Sequence, residues 1–419
     1  MQLKSLRLSQ VRGFGQGEFE FNPGMNLIVG INGAGKSTVL DVLCILGSQI
    51  LPRLSQYKSQ RQKFQIEDIM HGRGALTAQL IFTVDHLDFK YLAHKPREIV
   101  LINKENEGEV RGQTTDLAEH YDLDPSSPSM LKMIKEQPQQ PLLVYYAPNR
   151  SILDEGATKQ DKSGGKYSLA YADALVPHRL NIKEFALWWL AQDELSKEKP
   201  ELSRLIDQLR NVVTRFLETC TDLHPVKEPT PTLIIQKNGF SLDVRQLSDG
   251  ERGLLSLILD LARRLAIVNP DLTDPLNEGK AVVLIDELDI HLHPGWQRDV
   301  VQKLTTTFPK CQFIATTHSP QILGEVSPEN IYILEAGKAP CRPDQSLGMD
   351  SNWILEILMG TSDRKEKYSQ KLEKISKLIN EKDFSRAQDS INILRTEIGD
   401  FPELVKLETR LHRILTLGK

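Results

Sequence analysis

Gly30-Ile31-Asn32-Gly33-Ala34-Gly35-Lys36-Ser37 fits the pattern G-x-x-x-x-G-K-[S/T] at every fixed position. Phosphate groups need several donors converging at short range. Glycines let the backbone curl so that its N–H groups point inward, at the start of a helix whose dipole favours an anion. Met25 to Val29 reads as the strand before the loop, and the spacing of Val39, Leu40, Val42, Leu43 and Leu46 predicts the helix after it. Asn32, Gly33, Ala34, Gly35, Lys36, Ser37 and Thr38 are therefore the candidate nucleotide-binding residues. Lys36 would reach the β- and γ-phosphates of ATP, and the Ser37 hydroxyl would bind Mg²⁺.

Three more segments fit such a site. Ala281 to Ile285 is continuously apolar and ends in Asp286-Glu287. An all-apolar run suits a strand covered on both faces of a parallel sheet, and the C-terminal ends of such strands are where open α/β sheets bind ligands. Asp286 is the candidate for the Mg²⁺ shell and Glu287 the candidate general base; an Asp that only caps the next helix is the plainer alternative. Leu247-Ser248-Asp249-Gly250-Glu251 opens an amphipathic helix. Ser248 and Glu251 have the spacing of a capping box, and the same helix start, with Ser248 and Gly250, is a candidate anion site. Gln312 to Thr316 reads as a strand leading to His318, a candidate for sensing the γ-phosphate or orienting water. His291 and His293 stand at i, i+2 without a further run of ligands, too few for a zinc site.

Composition narrows the classes. With 40% hydrophobic and 26% charged residues, a disordered chain, a collagen and a membrane bundle are excluded. The 52 basic and 56 acidic residues leave a net charge of −4, which excludes a globally basic nucleic-acid coat but not a local patch. Cys44, Cys220, Cys311 and Cys341 are scattered, so no disulfide framework is expected. Without an apolar leader or a long uninterrupted apolar run, the expectation is a cytoplasmic protein.

The expected fold class is α/β, a P-loop head with a helical insertion and a helical tail. Residues 1–150 form one lobe with the phosphate loop and a β-rich part. Residues 151–240 form the helical insertion, 241–340 the second lobe, and 341–419 the tail. Residues 104–140, rich in Pro, Ser and Gln, are expected to be loop. Leu394, Leu404, Leu407, Leu411 and Leu415 of the tail are expected to cover its own hairpin rather than another chain.

The order of phosphate loop, insertion, LSDGE, VLIDE and THS resembles the ABC-type ATPase heads of the SMC/RecF/OLD group, over residues 1–60 and 240–335. The opening Val11-Arg12-Gly13-Phe14 and the loop Asp289-Ile290-His291-Leu292-His293-Pro294 are similar to soluble members. The resemblance implies that Ser248 and Gly250 act in trans, so that two copies sandwich two ATP molecules as a homodimer. Gln65 and Asp68 are both candidates for that family's gating group. VYYAPNR at 144–150 and KEFALWW at 183–189 are similar to the PtuA-type ATPase subunits of Septu and retron antiphage systems. That resemblance implies a partner, an HNH nuclease of the PtuB kind. No Toprim or HNH-like set occurs in the chain, so no nuclease activity of its own is expected.

The resulting expectation is an ATPase that regulates an effector nuclease in phage defence. The alternative is a RecF-like clamp whose head binds DNA, with basic clusters at Arg53, Lys58, Arg61 and Lys63 and at Arg364, Lys365 and Lys367. A scaffold that holds ATP without turnover and a transporter ATPase fit the motifs less well.

Overall fold

Strands with one buried face are interspersed with strands buried on both. The computed structural model describes residues 1–56, 61–97, 120–153, 167–198, 200–361 and 366–417; Lys58, Arg364, Lys365 and residues 104–119 of the expected loop 104–140 lie outside them. The chain begins with β1 (Gln2–Val11), β2 (Phe14–Glu20), the almost wholly buried β3 (Met25–Gly30) and α1 (Lys36–Leu54). It continues through β4 (Ala75–Val84), β5 (Leu87–Pro96), β6 (His120–Asp124), α2 (Pro128–Glu136) and β7 (Leu143–Tyr146). The stretch expected to be loop thus contains β6 and α2. A proline at the first position of α2 and the spacing of Leu131 and Ile134 support that helix despite its polar composition.

Next come β8 (Ile152–Leu153), α3 (Ser168–Tyr171), β9 (Leu180–Asn181), α4 (Ile182–Ser196) and α5 (Pro200–Phe216). The expected helical insertion then gives way to an antiparallel meander of β10 (Cys220–Val226), β11 (Thr232–Lys237) and β12 (Phe240–Asp243). Its hairpin turn is Asn238-Gly239, both at positive φ (52° and 84°), a strong short-range hairpin signal.

The remainder supplies α6 (Asp249–Val268), α7 (Pro275–Glu278), β13 (Val282–Ile285), α8 (Pro294–Thr307), β14 (Gln312–Thr316), α9 (Pro320–Leu323) and β15 (Ile331–Leu334). One five-stranded sheet, β2-β1-β4-β5-β6, is antiparallel, and β4 alternates buried and half-buried along its length. The other, β15-β3-β14-β13-β7, is parallel, with β3, β7, β13 and β14 almost entirely buried. Buried Gln312 joins the two: its amide exchanges 2.8 Å hydrogen bonds with the backbone N–H and C=O of Leu3. Because every neighbour in the second sheet is parallel, the segments after β3, β7, β13 and β14 all leave at the same edge.

By length and composition α1 could cross a membrane, but 72% of its most apolar window is buried within the fold, as in a core helix.

The chain divides into two compact units, Met1–Ser351 and Asn352–Lys419. The division falls later than the expected 340/341 because Cys341 bridges to Ile333 and the Ser346 hydroxyl donates to the Val326 carbonyl. The second unit contains α10 (Ser351–Trp353, at the boundary), α11 (Glu366–Asn380), α12 (Phe384–Ile398) and α13 (Pro402–Leu417). Its own core buries Ile375, Ile379, Ala387, Ile391, Leu394, Leu404 and Leu411 with Leu407 packed against it, while Leu415 is exposed.

Candidate functional site

The phosphate-loop glycines are imposed by their neighbours. At Gly30 (φ +152°) a Cβ would lie 2.3 Å from the Leu334 carbonyl oxygen on β15. At Gly35 (φ +103°) it would lie 2.7 Å from the ring of Phe14, which forms the seat of the loop. Helix α1 then starts with no side-chain cap and no acid in its first turn. Its leading N–H groups have no intrahelical acceptor, and with the dipole they favour an anion. Lys36 is buried, and its ammonium donates to the carbonyls of Gly30 (2.9 Å) and Ile31 (3.1 Å). Burial holds its pKa below the ordinary value, while the charges of Asp286, Glu287 and Asp289 limit the drop. Arg12, beside the Phe14 turn, pairs with Asp41 of α1 at 2.6 Å and with Asp68 at 2.8 Å. Asp68 is thereby tied to the fold, whereas Gln65 is exposed.

The strand ends meet this loop. The Ser37 hydroxyl lies 3.4 Å from Asp286 Oδ1, and Thr316 at the end of β14 donates to the same oxygen at 2.5 Å. Hydroxyl and carboxylate oxygens are hard ligands of the kind Mg²⁺ takes alongside phosphates. The pair therefore fits that ion, although no cluster of three or more His, Cys, Asp or Glu suited to a metal occurs among the described residues. Glu287 stands at φ +49°, and its N–H donates to Thr316 Oγ1 at 2.8 Å. Asp289 accepts from the Thr317 hydroxyl (2.6 Å) and from the His318 N–H (3.1 Å). Thus Lys36, Ser37, Asp286, Glu287 and His318 are gathered at one edge of the parallel sheet.

The start of α6 is built differently. Exposed Ser248 and buried Glu251 form the reciprocal capping box, with the hydroxyl donating to Glu251 Oε2 at 2.8 Å. Lys237 of β11 closes on Glu251 Oε1 at 2.6 Å. Burial pushes the Glu251 carboxyl up, but the bonds from Lys237 and Ser248 outweigh it and its pKa falls below the usual value. Gly250 is buried against the loop after β13: a Cβ would lie 2.2 Å from the His291 carbonyl oxygen. His293 caps α8, its Nδ1 accepting from Gly295 N–H at 3.2 Å.

A family model described as an AAA domain matches residues 5–218, just over half of the chain. The chain belongs to this family. Another AAA-domain model, whose description names the AbiEii toxin of type IV TA systems, matches residues 146–324. Among curated relatives, "Retron Ec83 probable ATPase" of Escherichia coli is 34% identical over 54% of this chain and 41% of its own length. "Retron Vc95 probable ATPase" of Vibrio cholerae is 29% identical over 80% of this chain and 73% of its own. The Septu protein PtuA of Bacillus thuringiensis is 23% identical, over 77% and 72%. Among solved structures, an SMC head bound to the C-winged helix domain of ScpA is similar at TM-score 0.50 and 16% identity, covering 83% of this chain and 98% of that one. The fold is that of an ABC-type P-loop ATPase head.

Arg150, Thr316 and Phe14 lie in segments quoted from the sequence, but motif reading gave none of them a role in the site. Arg150 is buried, and its guanidinium donates to the carbonyls of Asp286 (2.8 Å), Glu287 (3.0 Å) and Leu288 (3.3 Å). Burial lowers its pKa to about 10, with the carboxylates of Asp289, Asp286 and Glu287 opposing the drop, so it remains charged at neutral pH.

Proposed function

We propose that this chain binds and hydrolyses ATP with Mg²⁺, dimerises head to head around the nucleotide, and regulates an associated effector, an HNH nuclease of the PtuB kind, in antiphage defence. The observation that carries the catalytic part is the meeting of an uncapped α1 start, the buried Lys36, and the 3.4 Å Ser37–Asp286 pair at one sheet edge. The N–H groups of residues 33–38 and the Lys36 ammonium bind the phosphates. Ser37 and Asp286 hold Mg²⁺, which neutralises charge on the phosphate oxygens when bound. Glu287 accepts the proton of the attacking water, and His318 orients the γ-phosphate side. Ser248 and Gly250 present the α6 start to the nucleotide of a second copy.

The names of the retron and Septu relatives support the defence setting. Glu287→Gln tests the chemistry: hydrolysis is expected to fall by about 10²–10⁴-fold, with an ATP-dependent dimer mass retained. Unchanged hydrolysis removes Glu287 from this role. Co-purification with a tagged chain, with and without ATP, tests the nuclease partner.

A second reading, a DNA-binding clamp, is favoured by one feature. A cavity of about 310 Å³ is lined by Arg53 and Arg61 together with Lys132 and Lys135 of α2, with Pro52, Pro128 and Leu131 as its apolar walls. Four cations and, among the described residues, no carboxylate in the lining suit a phosphodiester backbone. Duplex binding that weakens with salt and is lost when these four are neutralised would favour this reading; no binding at low salt would count against it.

A further inference from the structure

The segment 144–150, Val-Tyr-Tyr-Ala-Pro-Asn-Arg, has no part in the roles above, yet both its ends meet the site. Tyr145 and Tyr146 pair with Leu284 and Ile285 in the sheet, and the Tyr146 carbonyl accepts the Asp286 N–H at 2.9 Å. Arg150 then turns back. One guanidinium spans the carbonyls of three consecutive residues, Asp286, Glu287 and Leu288, while also donating to Ala147 O at 3.4 Å.

Three successive carbonyls can face one donor group only if the backbone curls. The curl here is the left-handed conformation of Glu287 (φ +49°), which is uncommon for a residue with a Cβ. Thr316 fixes the other side of the same residue: its hydroxyl accepts the Glu287 N–H, and its carbonyl accepts the Leu288 N–H at 2.8 Å. A planar fork of five N–H donors can span such a set, and a lysine ammonium, a single point, cannot.

We infer that Arg150 is a positioning residue for Glu287, holding the turn that aims its carboxylate. This rests on Glu287 being the general base. It follows that Arg150 acts on the hydrolysis step and not on nucleotide affinity. No contact of Arg150 with the phosphate loop is needed, because it acts through the backbone of the residue it holds.

The test uses the full chain. ATP binding and single-turnover hydrolysis are measured for wild type, Arg150→Lys, Arg150→Gln, Glu287→Gln and the double variant Arg150→Lys/Glu287→Gln. Arg150→Lys is expected to slow hydrolysis by about tenfold or more while the ATP Kd stays within about twofold. In the Glu287→Gln background it is expected to add almost nothing, because the group it aims is already disabled. A full multiplicative effect in that background, with the usual loss in Glu287→Gln alone, overturns this inference and leaves the base assignment standing. Unchanged hydrolysis in Glu287→Gln overturns both. Loss of ATP binding or of the folded state in both Arg150 variants would make the residue a brace of the fold and overturn the inference as well.

Discussion

Gly250 lies so close to His291 that a Cβ on it would sit 2.2 Å from the His291 carbonyl oxygen. That approach fits the first turn of α6 against the loop that follows Asp286-Glu287. The obstruction is backbone, so no rotamer change relieves it. Gly250→Ala is expected to cost about 1–3 kcal/mol of stability and to displace the loop, lowering ATP turnover. Gly253, one turn later in the same helix, has no atom beyond its chain neighbours and the adjoining helix backbone within 4 Å of a Cβ built on it. Gly253→Ala is therefore expected to stabilise by up to about 1 kcal/mol through helix propensity. Denaturant unfolding of the two variants should move in opposite directions; a shared sign would remove the His291 contact as the cause.

Asp286 is oriented by Thr316 at 2.5 Å and faces Ser37 at 3.4 Å. Asp286→Asn keeps an oxygen that can accept from Thr316 but loses the charge. The fold should hold, and the Mg²⁺ concentration for half-maximal hydrolysis should rise by about tenfold or more, each tenfold being about 1.4 kcal/mol. Titration of hydrolysis against Mg²⁺, with chelation as the zero point, reads this directly. An unmoved midpoint would place the metal elsewhere.

The parts of the site that could be read from sequence are those encoded by local spacing. A phosphate loop needs glycines at fixed positions, and a doubly buried strand needs an apolar run before its carboxylates, so residues 30–37 and 281–287 announce themselves. Arg150 does not, because it binds backbone carbonyls, which every residue has, 136–138 positions away. Phe14 appears only as the ring that a Cβ on Gly35 would strike. In the fold, the β10–β12 meander carried an Asn238-Gly239 turn signal, but it followed directly on two long helices and read as part of the insertion. The capping box of Ser248 is compatible with both readings of that helix start, since a satisfied first turn still presents its serine to solvent.

Asp260 on α6 is buried with Arg264 Nε at 2.6 Å, Arg263 at 2.8 Å and the Tyr146 hydroxyl at 3.0 Å. Burial alone would raise its pKa; Arg264, His178 and Arg263 outweigh burial and hold it well below the ordinary 3.8. A depressed folded-state pKa means that the stabilisation is complete above the unfolded value and is lost as pH falls through the folded one. Asp260→Asn is expected to cost about 3–5 kcal/mol at pH 7, because Arg264 is left buried without its counter-charge. The gap between variant and wild type should then narrow as pH drops below about 4. Unfolding curves from pH 7 to pH 2 test this, and a gap that stays constant to pH 2 would show that the charge is not its source.

Two isoleucines on α12 separate packing in the second unit from surface exposure. Ile391 is fully buried in the core of α11, α12 and α13, whereas Ile393 is 63% exposed. Truncating Ile391 removes the same atoms as truncating Ile393, but only the first leaves a cavity. Ile391→Ala is expected to cost about 2–5 kcal/mol and Ile393→Ala no more than about 0.5 kcal/mol. Amide hydrogen exchange across residues 366–417 resolves the two without interference from the larger unit. Protection should fall throughout the three helices for Ile391→Ala and stay at the wild-type level for Ile393→Ala. Equal losses would mean that the face carrying Ile393 is covered in solution, and that this unit does not satisfy its own apolar surface.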